Sequence, residues 1–243
     1  LQTMFRRFAD IQTADSLDLP RPQLEVREDG KQAPRIITVP RSPELAAYIA
    51  DIGERADLIA NRAVTPDEDN MLKLSTDGRK AALDLRLVDP AYGHVGGKID
   101  AAADELNRVW EATRTNTYIV PGTGEPSPTP GALQLVFCDL GTPSDNWNVY
   151  SALRDALVLR GMPREGIQFV HDAASDADKA RLFEACRSGR VSVLIGSTAK
   201  MGVGTNIQNR AIHLIDLDAP WRPADVEQRH GRILRQGNQN PEV

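Results

Sequence analysis

The sequence is poor in cysteine and aromatic residues, and it has no long apolar run. Cys138 and Cys186 are its two cysteines, too few for a disulfide scaffold or a cysteine-rich metal site. Its four histidines show no metal-binding spacing, so we expect no metal centre. No run reaches the roughly 18 apolar residues of a membrane span, and the first residues lack the apolar core of a signal peptide. We therefore expect a cytoplasmic protein without a membrane segment.

The sequence also lacks an excess of basic residues. Its formal net charge of -5 gives no overall attraction to nucleic acid, so contact with a polyanion would need a local basic patch. An apolar fraction of 41% and a charged fraction of 26% are typical of a soluble globular chain with a sizeable core. The chain begins at Leu1 and ends at Val243, directly after a dense cluster of motifs. We therefore expect it to be a piece of a longer protein.

A proline- and glycine-rich segment, residues 121–131, divides the sequence. Its four prolines and three glycines are incompatible with a helix interior or a central strand, which indicates a linker or an exposed loop. Residues 1–120 are less regular, and we expect them to be mainly helical. Within them, Ser42 can cap a helix that starts at Pro43, and apolar residues then follow at spacings of four and three.

Residues 132–243 alternate short apolar runs with longer amphipathic stretches. The apolar runs, each bounded by turn residues, predict buried strands at residues 133–138, 166–170, 191–196 and 211–217. This alternation predicts an α/β fold, in which a parallel sheet is flanked by helices on both faces. Ligands of such sheets bind beyond the carboxyl ends of the strands. We therefore expect functional residues in the loops after Cys138, Gly196 and Leu217.

The C-terminal segment has the sequence features of a helix, with Pro223 at its start and Gly237 at its end. On such a helix Gln228, Arg232 and Arg235 are four and three residues apart, so their side chains share one face. The planar, permanently charged guanidinium group of arginine can bind two phosphate oxygens at once. The pattern therefore predicts a clamp for a phosphate group. A solvated basic helix end is the alternative.

Glycines in two places indicate a close approach of another group. Gly231 inside the predicted helix costs roughly 1 kcal/mol relative to alanine, which nearby backbone or a ligand would explain. Gly202 and Gly204 follow the third predicted strand, where Ser197 and Thr198 also offer hydroxyl groups to a phosphate. The alternative for this second place is a glycine-rich turn between a strand and a helix, with no ligand.

The sequence lacks the phosphate-binding motifs of a complete nucleotide hydrolase. Residues 93–98 contain glycines and a lysine, but Ile99 stands where serine or threonine is needed, and no apolar strand precedes them. No Asp-Glu box follows a strand either. The chain alone should therefore not hydrolyse ATP.

Two features near the last predicted strand have both a structural and a functional interpretation. Trp221 lies between prolines and is expected to pack at a turn, with stacking on a base as the alternative. Asp216 and Asp218 end the strand, where they can orient Arg222 or a ligand. Helix capping and solvation in a loop are equally consistent with their position.

Three segments together resemble the motifs of superfamily-two helicases. Residues 228–235, Gln-Arg-His-Gly-Arg-Ile-Leu-Arg, resemble motif VI, residues 197–206 resemble motif V, and residues 135–139 resemble the strand of motif IV. The sequence is most similar to the Swi/Snf-like branch, especially to the large helicase-methylase proteins of phages and plasmids. A similar Pro-Trp-Arg-Pro run occurs there, here at residues 220–223.

The resemblance implies that residues 132–243 are the second RecA-like lobe of an ATP-dependent DNA helicase or translocase, with residues 1–120 bridging from a first lobe. It implies arginine fingers at Arg232 and Arg235, assisted by Gln228, acting on ATP and Mg²⁺ that the first lobe mainly binds. Residues implied to couple nucleotide to nucleic acid are Gly202, Gly204, Thr205 and Asn206. Those implied to contact the nucleic-acid backbone are Ser197, Thr198 and Lys200.

The implied partners are DNA, the first motor lobe of the same protein and a linked methylase domain. Similarity to the Swi/Snf-like branch favours double-stranded DNA and leaves RNA open. One alternative is a catalytically silent helicase-like module that binds DNA or a protein. Another is an unrelated α/β enzyme that binds a nucleotide or a sugar.

Overall fold

The computed structural model describes residues 20–94, 96–201 and 206–243. The first part is mainly helical and contains α1 (Pro43–Ala60), α2 (Met71–Leu83) and α3 (Lys98–Thr113). Helix α1 begins where the sequence predicts, because the Ser42 hydroxyl accepts a hydrogen bond from Leu45 N (3.1 Å) and Pro43 fixes the first turn. None of the helices in the described ranges is long and apolar enough to cross a membrane.

The second part forms a parallel sheet. Its strands are β1 (Leu133–Phe137), β2 (Ile167–Phe169), β3 (Val193–Gly196) and β4 (Ala211–Asp216), in the order β2-β3-β1-β4 with every pair parallel. Its helices are α4 (Val149–Leu159), α5 (Asp176–Ser188), α6 (Thr198–Met201) and α7 (Pro223–His230). Short 3-10 helices lie at Leu85–Leu87, Pro90–Tyr92, Arg164–Gly166, Val170–Asp172 and Gln208–Arg210. The predicted α/β fold is confirmed.

Helices cover both faces of this sheet. Successive residues of a strand point to opposite faces, and β1 shows this alternation clearly. Leu135 and Phe137 pack in one buried cluster with Cys186 of α5. Val136 packs in a second buried cluster with Leu106 of α3. Because β1 is buried on both faces, its sequence is almost continuously apolar.

Helix α3 packs into the same core as the sheet, although it precedes the proline- and glycine-rich segment. Ile99, Ala103 and Leu106 are buried on its inner side. The Gln134 side chain of β1 donates a hydrogen bond to the Leu106 carbonyl (2.9 Å), which satisfies a buried amide at the contact. Helix α3 therefore forms one of the layers around the sheet.

The proline- and glycine-rich segment is an ordered loop. It turns back on the preceding residues, since Ser127 N donates to Tyr118 O (2.8 Å). The buried guanidinium of Arg210 then donates to Thr129 O (2.7 Å) and to the Ser127 hydroxyl. Gly189 at the end of α5 has a φ of +87°, and a Cβ there would overlap Arg210. Arg210 thus fastens the loop at the amino end of β4.

The predicted helix over residues 223–237 is wrong beyond His230. Helix α7 spans only Pro223–His230, and Gly231 N donates to Glu227 O (2.8 Å) as the helix ends. The chain then turns, which brings Ile233 into the core with 4% exposure. Glycine is a weak helix former, and burial of Ile233 outweighs continuation of the helix. Gly231 is thus the residue at which α7 ends, with a φ of −61° that any residue can adopt.

Candidate functional site

The loops at the carboxyl ends of three strands converge, as the parallel arrangement predicts. Asp139 follows β1, Thr198 follows β3, and Asp218 follows β4. Asp139 accepts hydrogen bonds from the Thr198 backbone amide (2.6 Å) and hydroxyl (2.9 Å). Asp218 accepts hydrogen bonds from the backbone amides of Asp139 (2.7 Å) and Leu140 (2.9 Å). The three loops are therefore tied directly to one another.

Arg229 of α7 lies at the centre of these loops and is completely buried. Its guanidinium donates to the Thr198 hydroxyl (2.8 Å) and to the carboxylates of Asp139 (2.8 Å), Asp216 (3.0 Å) and Asp218 (3.0 Å). It also donates to the Asp218 carbonyl (2.9 Å). All five N–H groups of the guanidinium thus have acceptors. Arg229 therefore fixes the helix that leads to Arg232 to the sheet, and His230 adds a second tie to Asp216 (2.7 Å).

Opposite charges favour the ionised forms of Arg229 and Asp216. Burial opposes the charge on Arg229, but the hydrogen bond to Asp216 and the charges of Asp218 and Asp139 outweigh it, so the pKa of Arg229 is raised. Burial likewise would raise the pKa of Asp216, but hydrogen bonds with His230 (2.7 Å) and Arg229 outweigh it and lower that pKa. The Asp216 carboxylate is therefore ionised near neutral pH.

The aspartates of this cluster are hydrogen-bonded within the lobe. Within the described ranges, no group of three or more His, Cys, Asp or Glu side chains is arranged to hold a metal ion. The oxygens of Asp139 and Asp218 accept hydrogen bonds from Arg229 and from backbone amides. Their chemistry is that of acceptors for a buried cation.

The predicted phosphate-binding residues lie on and just after α7. Gln228 is exposed on the helix, Arg232 is half-buried in the turn after it, and Arg235 is exposed. Burial, together with the positive charge of Arg235, lowers the pKa of Arg232. The two guanidinium groups therefore influence each other electrostatically. Because α7 ends at His230, they do not share a helical face with Gln228, and the expectation of one common face is wrong.

The residues predicted to contact nucleic acid differ in their accessibility. Lys200 is exposed, whereas Ser197 is buried and its hydroxyl accepts a hydrogen bond from Lys200 N (3.3 Å). The Thr198 hydroxyl donates to Asp139 and accepts from Arg229, so both of its roles are used inside the lobe. Of these three side chains, Lys200 is the one that presents a charged group to solvent.

The residues predicted to couple nucleotide to nucleic acid lie mostly outside the described residues. This applies to Gly202, Gly204 and Thr205. Asn206 is exposed, and its carbonyl accepts a hydrogen bond from Arg187 at the end of α5 (3.2 Å).

Sequence reasoning missed Arg229, although a signal for it exists. Asp216 and Asp218 were predicted at the end of one strand, and carboxylates that become buried there need a cationic partner. Of the alternatives left open for Asp216 and Asp218, the orientation of Arg222 is wrong, because Arg222 pairs with Asp225 (3.0 Å) on the surface. Arg229 takes that place instead.

Trp221 also departs from expectation. It was expected to pack at a turn, but it is 61% exposed. The guanidinium of Arg79 in α2 lies over its ring, 4.5 Å from the ring centroid. The contact partner of Trp221 therefore comes from the helical part of the chain.

A known protein family matches the part of the chain that contains Arg229 and the strand-end loops. Residues 136–237 match the helicase conserved C-terminal domain. The match runs from β1 to the turns after α7 and includes each strand-end loop that contacts Arg229. It supports a helicase C-terminal lobe, and the parallel sheet with its flanking helices is the RecA-like fold of that domain. No curated protein matches the chain.

Proposed function

We propose that this chain contributes the second motor lobe of an ATP-dependent DNA helicase or translocase. In this proposal Arg232 and Arg235 act as arginine fingers, and Gln228 assists them. A first lobe of the same protein binds most of the ATP and Mg²⁺. The similarity of residues 220–235 to the Swi/Snf-like branch favours movement along double-stranded DNA, in a helicase-methylase protein of a mobile element.

One observation carries the proposal. The domain match covers a sheet edge at which Arg229 ties all three strand-end loops to the helix that precedes Arg232 and Arg235. A finger is useful only if its guanidinium is held in a fixed position, because misplacement by about 1 Å can cost about 100-fold in rate. Arg229 and its partners Thr198, Asp139, Asp216 and Asp218, here called the Arg229 hub, would hold the fingers in position from within the lobe.

The chemistry assigned to the fingers is electrostatic. Phosphoryl transfer spreads negative charge over the equatorial oxygens, and Mg²⁺ neutralises part of that charge when it is bound. Arg232 and Arg235 would supply further positive charge from across the cleft, and would do so only when the two lobes close. Hydrolysis then depends on closure, and closure can be converted into movement along DNA.

The nucleic-acid contact is assigned to the start of α6. Lys200 is exposed and offers an ammonium group to a phosphate. Ser197 and Thr198 are included because of the motif resemblance. The Thr198 hydroxyl, however, would have to give up a hydrogen bond inside the lobe, so we assign the larger share of affinity to Lys200.

ATP hydrolysis tests the proposal. In a protein that contains both lobes, Arg232→Ala and Arg235→Ala should each lower DNA-stimulated ATPase by about 10³-fold, the usual effect of removing an arginine finger. Arg164→Ala is the matched control, since Arg164 is an exposed arginine paired with Asp155 away from this edge. Wild-type turnover in both finger variants, with DNA binding retained, would instead identify a silent DNA-binding module.

A further inference from the structure

Arg79 of α2 contacts the loop between β4 and α7, 140 residues away in the sequence. Its Nη2 donates to the Ala219 carbonyl (2.7 Å), and its guanidinium stacks on the Trp221 ring at 4.5 Å. Arg79 is half-buried and Trp221 is largely exposed, so this contact lies at the surface. One side chain thus holds the loop by its backbone and by its aromatic ring.

This loop is also held from the inside of the lobe. Asp218, the residue before Ala219, binds Arg229 through both its carboxylate (3.0 Å) and its carbonyl (2.9 Å). Trp221 is separated from Pro223, the first residue of α7, by a single residue. A shift of the loop would therefore displace Asp218, a partner of Arg229. It would also displace the start of α7, the helix that precedes Arg232 and Arg235.

The helix that carries Arg79 belongs to a helical pair formed by α1 and α2. Arg55 of α1 binds Asp69 (2.7 Å), just before α2, and Asp77 in α2 (3.1 Å). Residues of α2 such as Leu74 and Leu83 are buried, whereas no residue of α1 is buried. The helical pair is thus a unit anchored to the lobe through α2, with α1 on its outer side.

We propose that Arg79 is a positioning residue that couples the helical pair to the arginine-finger segment. Displacement of the pair would move Ala219 and Trp221, and through Asp218 it would loosen Arg229 and the start of α7. The inference rests on the motor-lobe function proposed above, because the quantity it controls is the placement of Arg232 and Arg235. Arg79 itself contacts no reacting atom in this account.

Amide hydrogen exchange in this chain tests directly whether Arg79 holds the loop at Ala219 and Trp221. In Arg79→Ala, the amides of residues 219–231 should exchange faster, while those of β1 and β3 should keep their wild-type rates. Arg114→Ala is the control, because Arg114 also stacks on a tryptophan, Trp110, but lies at the end of α3. Unchanged exchange at residues 219–231 would overturn the proposal.

ATPase of the protein with both lobes tests the consequence. Arg79→Ala should lower kcat by about 3- to 30-fold with little change in the KM for ATP, the range expected when a coupling residue is removed. Arg79→Lys should recover part of the loss, because lysine keeps a charged donor but not the planar stack. A lower melting temperature with wild-type kcat per folded molecule would mean a purely structural contact and would overturn the coupling.

The two proposals fail in different ways. Wild-type turnover in both Arg232→Ala and Arg235→Ala would overturn the motor-lobe function, whatever Arg79→Ala does. A large loss in Arg232→Ala together with wild-type kcat in Arg79→Ala would retain the motor lobe and overturn only the coupling by Arg79.

Discussion

Two buried arginines lie at opposite ends of the sheet, and their surroundings differ sharply. Arg229, at the carboxyl ends of the strands, is 0% exposed and pairs with three aspartates. Arg210, at the amino end of β4, is 1% exposed, and among the described residues it has no carboxylate partner. It donates to the carbonyls of Thr129 (2.7 Å) and Gly131 (3.3 Å) and packs on the Tyr118 ring.

The different partners of Arg229 and Arg210 show at which end of the sheet charged side chains are concentrated. Carboxylates raise the pKa of Arg229 against the effect of burial, whereas burial lowers the pKa of Arg210. Neutral carbonyls suffice to fasten a loop at the amino end. At the carboxyl end, Arg229 and the carboxyl groups of three aspartates hold three loops and α7 together, and the proposed fingers lie at this end.

The largest expected effect is at the carboxyl end. Arg229→Met would leave three carboxylates without their buried cation, so the free energy of unfolding should fall by about 3–5 kcal/mol. Urea denaturation of the chain measures it. A loss below about 1 kcal/mol would mean that the aspartates find other partners and that Arg229 is not the hub.

The second prediction concerns the dependence of stability on pH, which should differ between His213 and the Arg229 hub. Burial lowers the pKa of His213 to about 4, although the charge of Glu105 opposes this. His213 lies on β4 and hydrogen-bonds Gln134 (2.9 Å). Between about pH 6.5 and pH 4 the unfolded chain binds this proton and the folded chain does not, so stability falls with falling pH, by at most about 3 kcal/mol. The His213→Asn variant should lose that part of the pH dependence.

Denaturation at several pH values between 4 and 7 measures this, with His94→Asn as the control at an exposed histidine. The Arg229 hub should lose stability at a lower pH than the His213 contact does, because the pKa of Asp216 is lowered. Its contribution is present above the ordinary value of 3.8 and is lost only as pH falls through the lower folded value. Equal pH dependence in wild type and His213→Asn would contradict the assignment to His213.

A smaller effect is expected at the amino end. Arg210→Met should cost about 1–3 kcal/mol, because it leaves carbonyl acceptors unpaired but exposes no unpaired carboxylate. The same denaturation experiment compares it with Arg229→Met. If Arg210→Met lowered the free energy of unfolding as much as Arg229→Met or more, the proposed difference between the two ends of the sheet would be wrong.

The smallest expected effect is at Thr198. Thr198→Val keeps the shape but removes the hydroxyl between Asp139 and Arg229, which should cost about 1–2 kcal/mol. If that hydroxyl acts inside the lobe, DNA affinity should change less in Thr198→Val than in Lys200→Ala across a salt series. The reverse order of affinities would place Thr198 on the DNA backbone.

Much of this arrangement could be predicted from the sequence. Short apolar runs located the strands, and the geometry of parallel sheets predicted that the loops after Cys138, Gly196 and Leu217 lie at one edge. The burial of Arg229 was harder to predict, because its carboxylate partners are 11 to 90 residues away and local patterns do not register such contacts. The end of α7 was missed because its cause, burial of Ile233, is tertiary.

Single-turnover hydrolysis of saturating ATP by the protein with both lobes, carrying Arg232→Lys, tests the central claim most directly. Lysine keeps the charge but loses the planar fork, so the chemical step should slow by about 100-fold or more while ATP affinity stays near wild type. A chemical step at the wild-type rate would contradict the claim that Arg232 completes the nucleotide site from this lobe.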